Sequence, residues 1–105
     1  GVLKKVREII PLFRSRLEEF KRLNVVGDVR QIGLIAGMEL VRNKSTKEAF
    51  DSKERIGLRV YKAGLKKNII LRPLGNVIYF FLPLCVKKNE LNDILDRAYS
   101  IIKSL

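Results

Sequence analysis

The sequence has no histidine, no tryptophan, one cysteine and one methionine. Without histidine the chain holds no Ser-His-Asp triad, no Cys-His dyad and no imidazole metal ligand, and no metal site is expected. The single Cys85 excludes an internal disulfide framework and a CxxC site. With no partner cysteine it reads as an inert thiol and fits a reducing, cytoplasmic compartment. No apolar run approaches the ~20 residues that cross a bilayer, so no membrane role is expected. The N-terminal stretch is charged and helix-like, without the apolar core of a secretory signal. Acidic residues are scarce as well: 11 against 22 basic ones leave a net charge of +11.

What remains is a globular composition. Hydrophobic residues make up 47% of 105 positions, enough for one domain with one core. The positive excess collects mainly in residues 1–23 and 51–68, where it alternates with apolar residues at helical spacing. No run of five consecutive basic residues occurs, so the pattern reads as solvated helix faces. The alternative is a stand-alone basic nucleic-acid module, which needs clustering as well as sum and is the weaker reading.

The periodicity predicts five units. Leu3, Val6, Ile10, Phe13, Leu17 and Phe20 recur three or four apart, giving a helix over 3–22. Pro11 predicts a kink in it, or two helices. Residues 25–41 (VVGDVRQIGLIAGMELV) read as two antiparallel strands, about 26–32 and 35–42. Their glycines lack the strand–loop–helix context of a phosphate loop. Residues 43–51 read as a polar loop. A helix then starts at Asp51, with Asp51-x-x-Glu54 as its capping box, Leu58, Tyr61 and Leu65 as its stripe and Asn68 as its stop. Gly57 and Gly64 weaken that helix by about 1 kcal/mol each unless another backbone packs closely there. Residues 69–73 and 77–82 form a hairpin around Leu74-Gly75-Asn76. Residues 90–105, capped by Asn89, form the last helix. This order predicts an α+β two-layer sandwich of antiparallel strands and helices.

One residue stands out against that background. Arg72 is the only charge between residues 69 and 86, in an otherwise apolar hairpin. A buried guanidinium needs an anion. One reading gives it a structural partner, Asp28 or Glu39, or plain exposure. Another makes it the receptor of a ligand carboxylate, gripped by its planar fork. Tyr79 lies across the turn and could share its side. Alternation puts Tyr79 and Phe81 on one face and Phe80 on the other. An alternative for these aromatics is stacking on bases.

The tracts GDVRQIGLIAGMELV (27–41) and ERIGLRVYKAGLKKNIILRPLGNVIYFFLPL (54–84) resemble the C-terminal segment of class III pyridoxal-phosphate aminotransferases. RPLGNVIYF (72–80) is similar to the branch that aminates 8-amino-7-oxononanoate in biotin synthesis. The resemblance covers nearly the whole chain. It implies that residues 1–105 are the small C-terminal domain of a fold-type-I enzyme. The large domain, with its lysine and pyridoxal 5'-phosphate contacts, would lie outside the chain, which starts at Gly1. No catalytic and no cofactor-binding residue is therefore expected here, and the isolated chain should be inactive. The Arg-Pro-[Phe/Leu]-Gly motif stands as Arg72, Pro73, Leu74 and Gly75. It implies that Arg72 holds the substrate carboxylate, Leu74 lies beside the substrate chain and Tyr79 lies near the active site. Leu82 departs from the related tract, which has a second proline before Pro83. The implied partners are the large domain, a second subunit of a homodimer, the oxononanoate and an amino donor, adenosylmethionine or lysine. A regulatory ligand-binding domain that uses Arg72 without catalysis is the remaining alternative.

Overall fold

The computed structural model describes residues 2–67, 71–84 and 86–105. Its first element is helix α1, Val2–Phe20, which runs as one helix with Pro11 inside it. The two-helix alternative is thus not what forms. Gln31 donates to the carbonyl of Ile10, the residue before the proline, at 3.1 Å, and so ties the helix to the first strand there. The buried stripe of α1 is Ile9, Phe13, Leu17 and Phe20, while Leu3 projects into solvent.

Strands β1 (Val26–Ile32) and β2 (Ile35–Asn43) pair antiparallel, as their alternation predicts, with a bulge between Val26 and Asp28. Their two-residue turn has Gly33 at φ +60°, in the left-handed region that glycine enters without a Cβ penalty. The segment read as a polar loop contains a short strand, β3 (Glu48–Ala49), paired to β2. Two residues carry no period, so the sequence has no signal for it.

Asp51 does not cap the second helix. It opens a 3-10 turn, Ser52–Glu54, in which the Asp51 carboxylate accepts from the N–H of Lys53 and Glu54 accepts from the N–H of Asp51. Helix α2 (Ile56–Lys66) follows, entered through Arg55 at φ 47°, ψ 52°. Its buried face is Ile56, Gly57, Val60 and Gly64, whereas Leu58 and Leu65 of the predicted stripe are exposed. The glycine face packs inward because only there can the helix backbone come close to its neighbours. The predicted stop at Asn68, the strand residues Ile69 and Ile70, and Cys85 lie outside the described residues.

The hairpin consists of β4 (Arg72–Leu74) and β5 (Val77–Phe81). Leu74 belongs to the strand and pairs with Val77, so the turn is Gly75-Asn76 rather than Leu74-Gly75-Asn76, with Gly75 at φ +61°. Helix α3 (Lys88–Lys103) starts before Asn89. Its N-cap is Lys87, whose N–H donates to Glu90 at 3.2 Å.

The strands form one sheet in the order β1-β2-β5-β4, with β3 on β2. Ala36, Met38, Leu40, Ile78 and Phe80 point to one face and share a single core with Phe13, Leu17, Phe20, Val60, Leu91, Leu95 and Ile102 of the helices. The helices therefore cover one face and leave the other open. This is the two-layer α+β sandwich that the element order predicts.

Candidate substrate-carboxylate site

The open face is set by strand register. Across the sheet, Arg72 pairs with Tyr79, Tyr79 with Gly37, and Gly37 with Arg30. The next row on the same face is Leu74, Val77, Glu39 and Asp28. Side chains two residues apart on a strand share a face, and residues directly opposite on paired strands do too. Arg72, Leu74 and Tyr79 therefore form one contiguous cluster at one edge of the open sheet. Pro73, between the first two, points to the helix side, where it meets α2.

Arg72 is exposed, and its side chain forms no ion pair and no hydrogen bond among the described residues. The structural-partner reading is not what forms. Glu39 lies on β2, two strand spacings or roughly 10 Å from β4. Asp28 is taken by Arg30, whose Nε donates to its carboxylate at 2.9 Å. An exposed guanidinium keeps its hydration, so no structural counter-ion is required. Leu74 is 70% exposed, far more than an aliphatic strand residue needs to be. The ring of Tyr79 leans across β2. A Cβ on Gly37 would lie 3.4 Å from its Cε1, an ordinary contact that shows how near the ring comes. Phe81 follows on the same face at 6.1 Å between ring centroids.

Beside Tyr79 a groove of about 320 Å³ runs over Gly37, edged by Val77, Glu39, Asp28 and Arg30 and ending at Ile32 and Ile35. Sequence reasoning missed this groove; reading register across both hairpins would have found it. A larger hollow of about 430 Å³ between the starts of α1 and α3 contains none of the predicted site residues.

The Arg30 hydrogen bond holds the Asp28 carboxyl below its ordinary value of 3.8. A depressed carboxylate contributes above its ordinary value and loses that contribution as pH falls further. Arg30→Ala is expected to move the Asp28 midpoint up toward 3.8 in an NMR titration. An unchanged midpoint would rule out the arginine as the cause.

The basic residues of α1 and α2 and the open-face aromatics, half-buried Tyr79 and exposed Phe81, do not make one surface. Lys4, Lys5, Arg7, Arg59 and Lys62 are on the exposed sides of helices, whereas Tyr79 and Phe81 look out from the opposite, open sheet face beside two carboxylates. A phosphate backbone stacked on these aromatics would meet Asp28 and Glu39.

The residues described do not fit a pyridoxal-phosphate site of their own. No lysine among them is buried, and the open-face rows described above carry arginines but no lysine. No step through the cofactor follows from this chain alone.

The family model for class-III aminotransferases matches residues 1–102, and the chain belongs to that family. Among curated proteins it is 42% identical to the adenosylmethionine-8-amino-7-oxononanoate aminotransferase of Aquifex aeolicus strain VF5, over 98% of this chain and 23% of that protein. It is 44% identical to the protein of the same name from Geobacter sulfurreducens, over 90% of this chain and 21% of the other. The crystal structure of that aminotransferase from Methanocaldococcus jannaschii DSM 2661 superposes with a TM-score of 0.92 at 39% identity, over 98% of this chain and 24% of that one. The chain thus spans about a quarter of the length of these relatives.

Proposed function

We propose that residues 1–105 are the small C-terminal domain of a cytoplasmic, homodimeric aminotransferase. The whole enzyme converts 8-amino-7-oxononanoate to 7,8-diaminononanoate in biotin synthesis, and this chain supplies the arginine that holds the substrate carboxylate. The observation that supports this reading most is the juxtaposition of Arg72, Leu74 and Tyr79 on one uncovered sheet face. The names of the relatives support the choice of substrate.

The residues divide the work. The Arg72 fork donates two N–H groups side-on to the two oxygens of a terminal carboxylate. Leu74 stands ~7 Å further along the strand, where an apolar chain leaving that carboxylate would pass. Tyr79 is opposite Arg72 in register, but its ring leans over Gly37, so it would line the groove beside the substrate rather than share the carboxylate. Anchoring the tail fixes where the far ketone lies, and such orientation is worth several kcal/mol of the barrier. The open face, with Ile32, Ile35 and Phe81 also exposed, suits burial against the large domain that completes the site. Pyridoxal 5'-phosphate, held there, supplies the electron sink.

The test is the full-length enzyme given 8-amino-7-oxononanoate with adenosylmethionine or lysine as donor. Diaminononanoate is expected with one of them, and its absence with both would reject the substrate. Borohydride treatment of the isolated chain with the cofactor is expected to leave no stoichiometric lysine adduct. An adduct on one lysine would reject the division of labour between domains.

A further inference from the structure

We propose that Gly57, on the far side of the sheet from the substrate, is a positioning residue for Arg72. This rests on the carboxylate reading given above. A Cβ at position 57 would lie 2.6 Å from the carbonyl oxygen of Gly75 and 2.8 Å from Cβ of Pro73. Neither neighbour is the end of a flexible side chain; one is backbone, the other a proline ring. Relief has to come from movement of α2 or of the hairpin tip.

The helix is the stiffer of the two. Its first turn is entered through Arg55 in the left-handed region, a conformation that costs a non-glycine residue free energy and persists only where surroundings impose it. The preceding 3-10 turn is closed by the Asp51 N–H donating to the Glu54 carboxylate and the Glu54 N–H donating to the Asp51 carbonyl, and is tied to β2 by the Arg42–Glu54 ion pair. The tip is softer. Among the described residues β4 is a three-residue edge strand paired on one side only, and the turn is held to β2 by the Leu40 N–H donating to the Asn76 carbonyl at 2.7 Å. A side chain at position 57 therefore displaces the tip. Pro73 sits between Arg72 and Leu74, so both move with it.

The experiment uses the full-length holoenzyme, with 8-amino-7-oxononanoate and its neutral C1 amide as acceptors. G57A is expected to raise KM for the carboxylate acceptor about 10-fold. It should leave the amide acceptor and the donor half-reaction within about 2-fold, since a paired fork is far more sensitive to a small displacement than the apolar contact of Leu74. In an R72A background, G57A should add no more than about 2-fold on either acceptor. Equal losses on both acceptors, or an unchanged KM in a folded variant, would overturn the positioning role. An R72A enzyme that treats the carboxylate acceptor normally would instead overturn the underlying carboxylate reading. Should G57A not fold, amide exchange in the unmutated holoenzyme decides. Nonanoate, an unreactive carboxylate of the same length, is expected to slow exchange at Arg59, whose N–H closes the first turn of α2, as well as at Leu40. Slowing at Leu40 alone would overturn the coupling.

Discussion

Arg72→Ala in the full-length enzyme is expected to lower kcat/KM for the oxononanoate about 100-fold while leaving the donor half-reaction nearly unchanged. Hydrogen bonds to a charged partner are worth ~1.5–3 kcal/mol, and a paired fork sits at the upper end of that range. The loss should be functional rather than structural. Arg72 is exposed on a short edge strand and carries no ion pair among the described residues, and substitutions at such places usually change stability by less than about 0.5 kcal/mol. Arg72→Lys should recover only part of the loss, since a point charge replaces a planar fork. Single-turnover assays of the two half-reactions separate these cases. Equal damage to both half-reactions would argue against a carboxylate role.

Phe20→Ala is expected to have the largest effect on stability, about 3–5 kcal/mol. Phe20 is fully buried at the end of α1. Its ring meets Phe80 of β5 edge-on at 6.1 Å and Tyr99 of α3 at 5.3 Å. One side chain thus joins the first helix, the strand that carries Tyr79 and the last helix. Such edge-on pairs add to the burial of area, so truncation removes both and leaves a cavity between three elements. The midpoint of urea unfolding measures it; a loss below about 1 kcal/mol would contradict this account of the core.

The sequence showed most clearly what depends on period. The Phe13, Leu17 and Phe20 part of the α1 stripe, the alternation of β1 and β2 and the opposed faces of Tyr79 and Phe80 all follow from spacing, whereas at the start of the helix Ile9 is buried and Leu3 is not. The buried face of α2 does not follow its hydrophobic stripe, since Leu58 and Leu65 are exposed. The packed side is instead the one where Gly57 admits the Gly75 carbonyl. The start of α2 was misplaced because the Asp51–Glu54 pattern is real but closes a 3-10 turn. β3 was missed because two residues have no period. The site was legible in part. Register across the Gly75-Asn76 turn puts Arg72 opposite Tyr79, and alternation adds Leu74. Which side of the sheet the helices cover depends on contacts distant in sequence, and that decides whether Arg72 is buried and paired or open and available. The apolar composition of the hairpin suggested the first; the packed helices leave the second. The three helices carry a net +5 of the +11 charge, and the rest is spread over strands and turns rather than gathered at this site.

The central claim is that Arg72 reads a carboxylate, and one double comparison tests it. Unmutated and R72A enzymes are each given 8-amino-7-oxononanoate and its C1 amide in the acceptor half-reaction. The account predicts that the unmutated enzyme prefers the acid about 100-fold, and that R72A treats the two acceptors alike. A preference for the acid that survives in R72A, with both acceptors slowed equally, would contradict it.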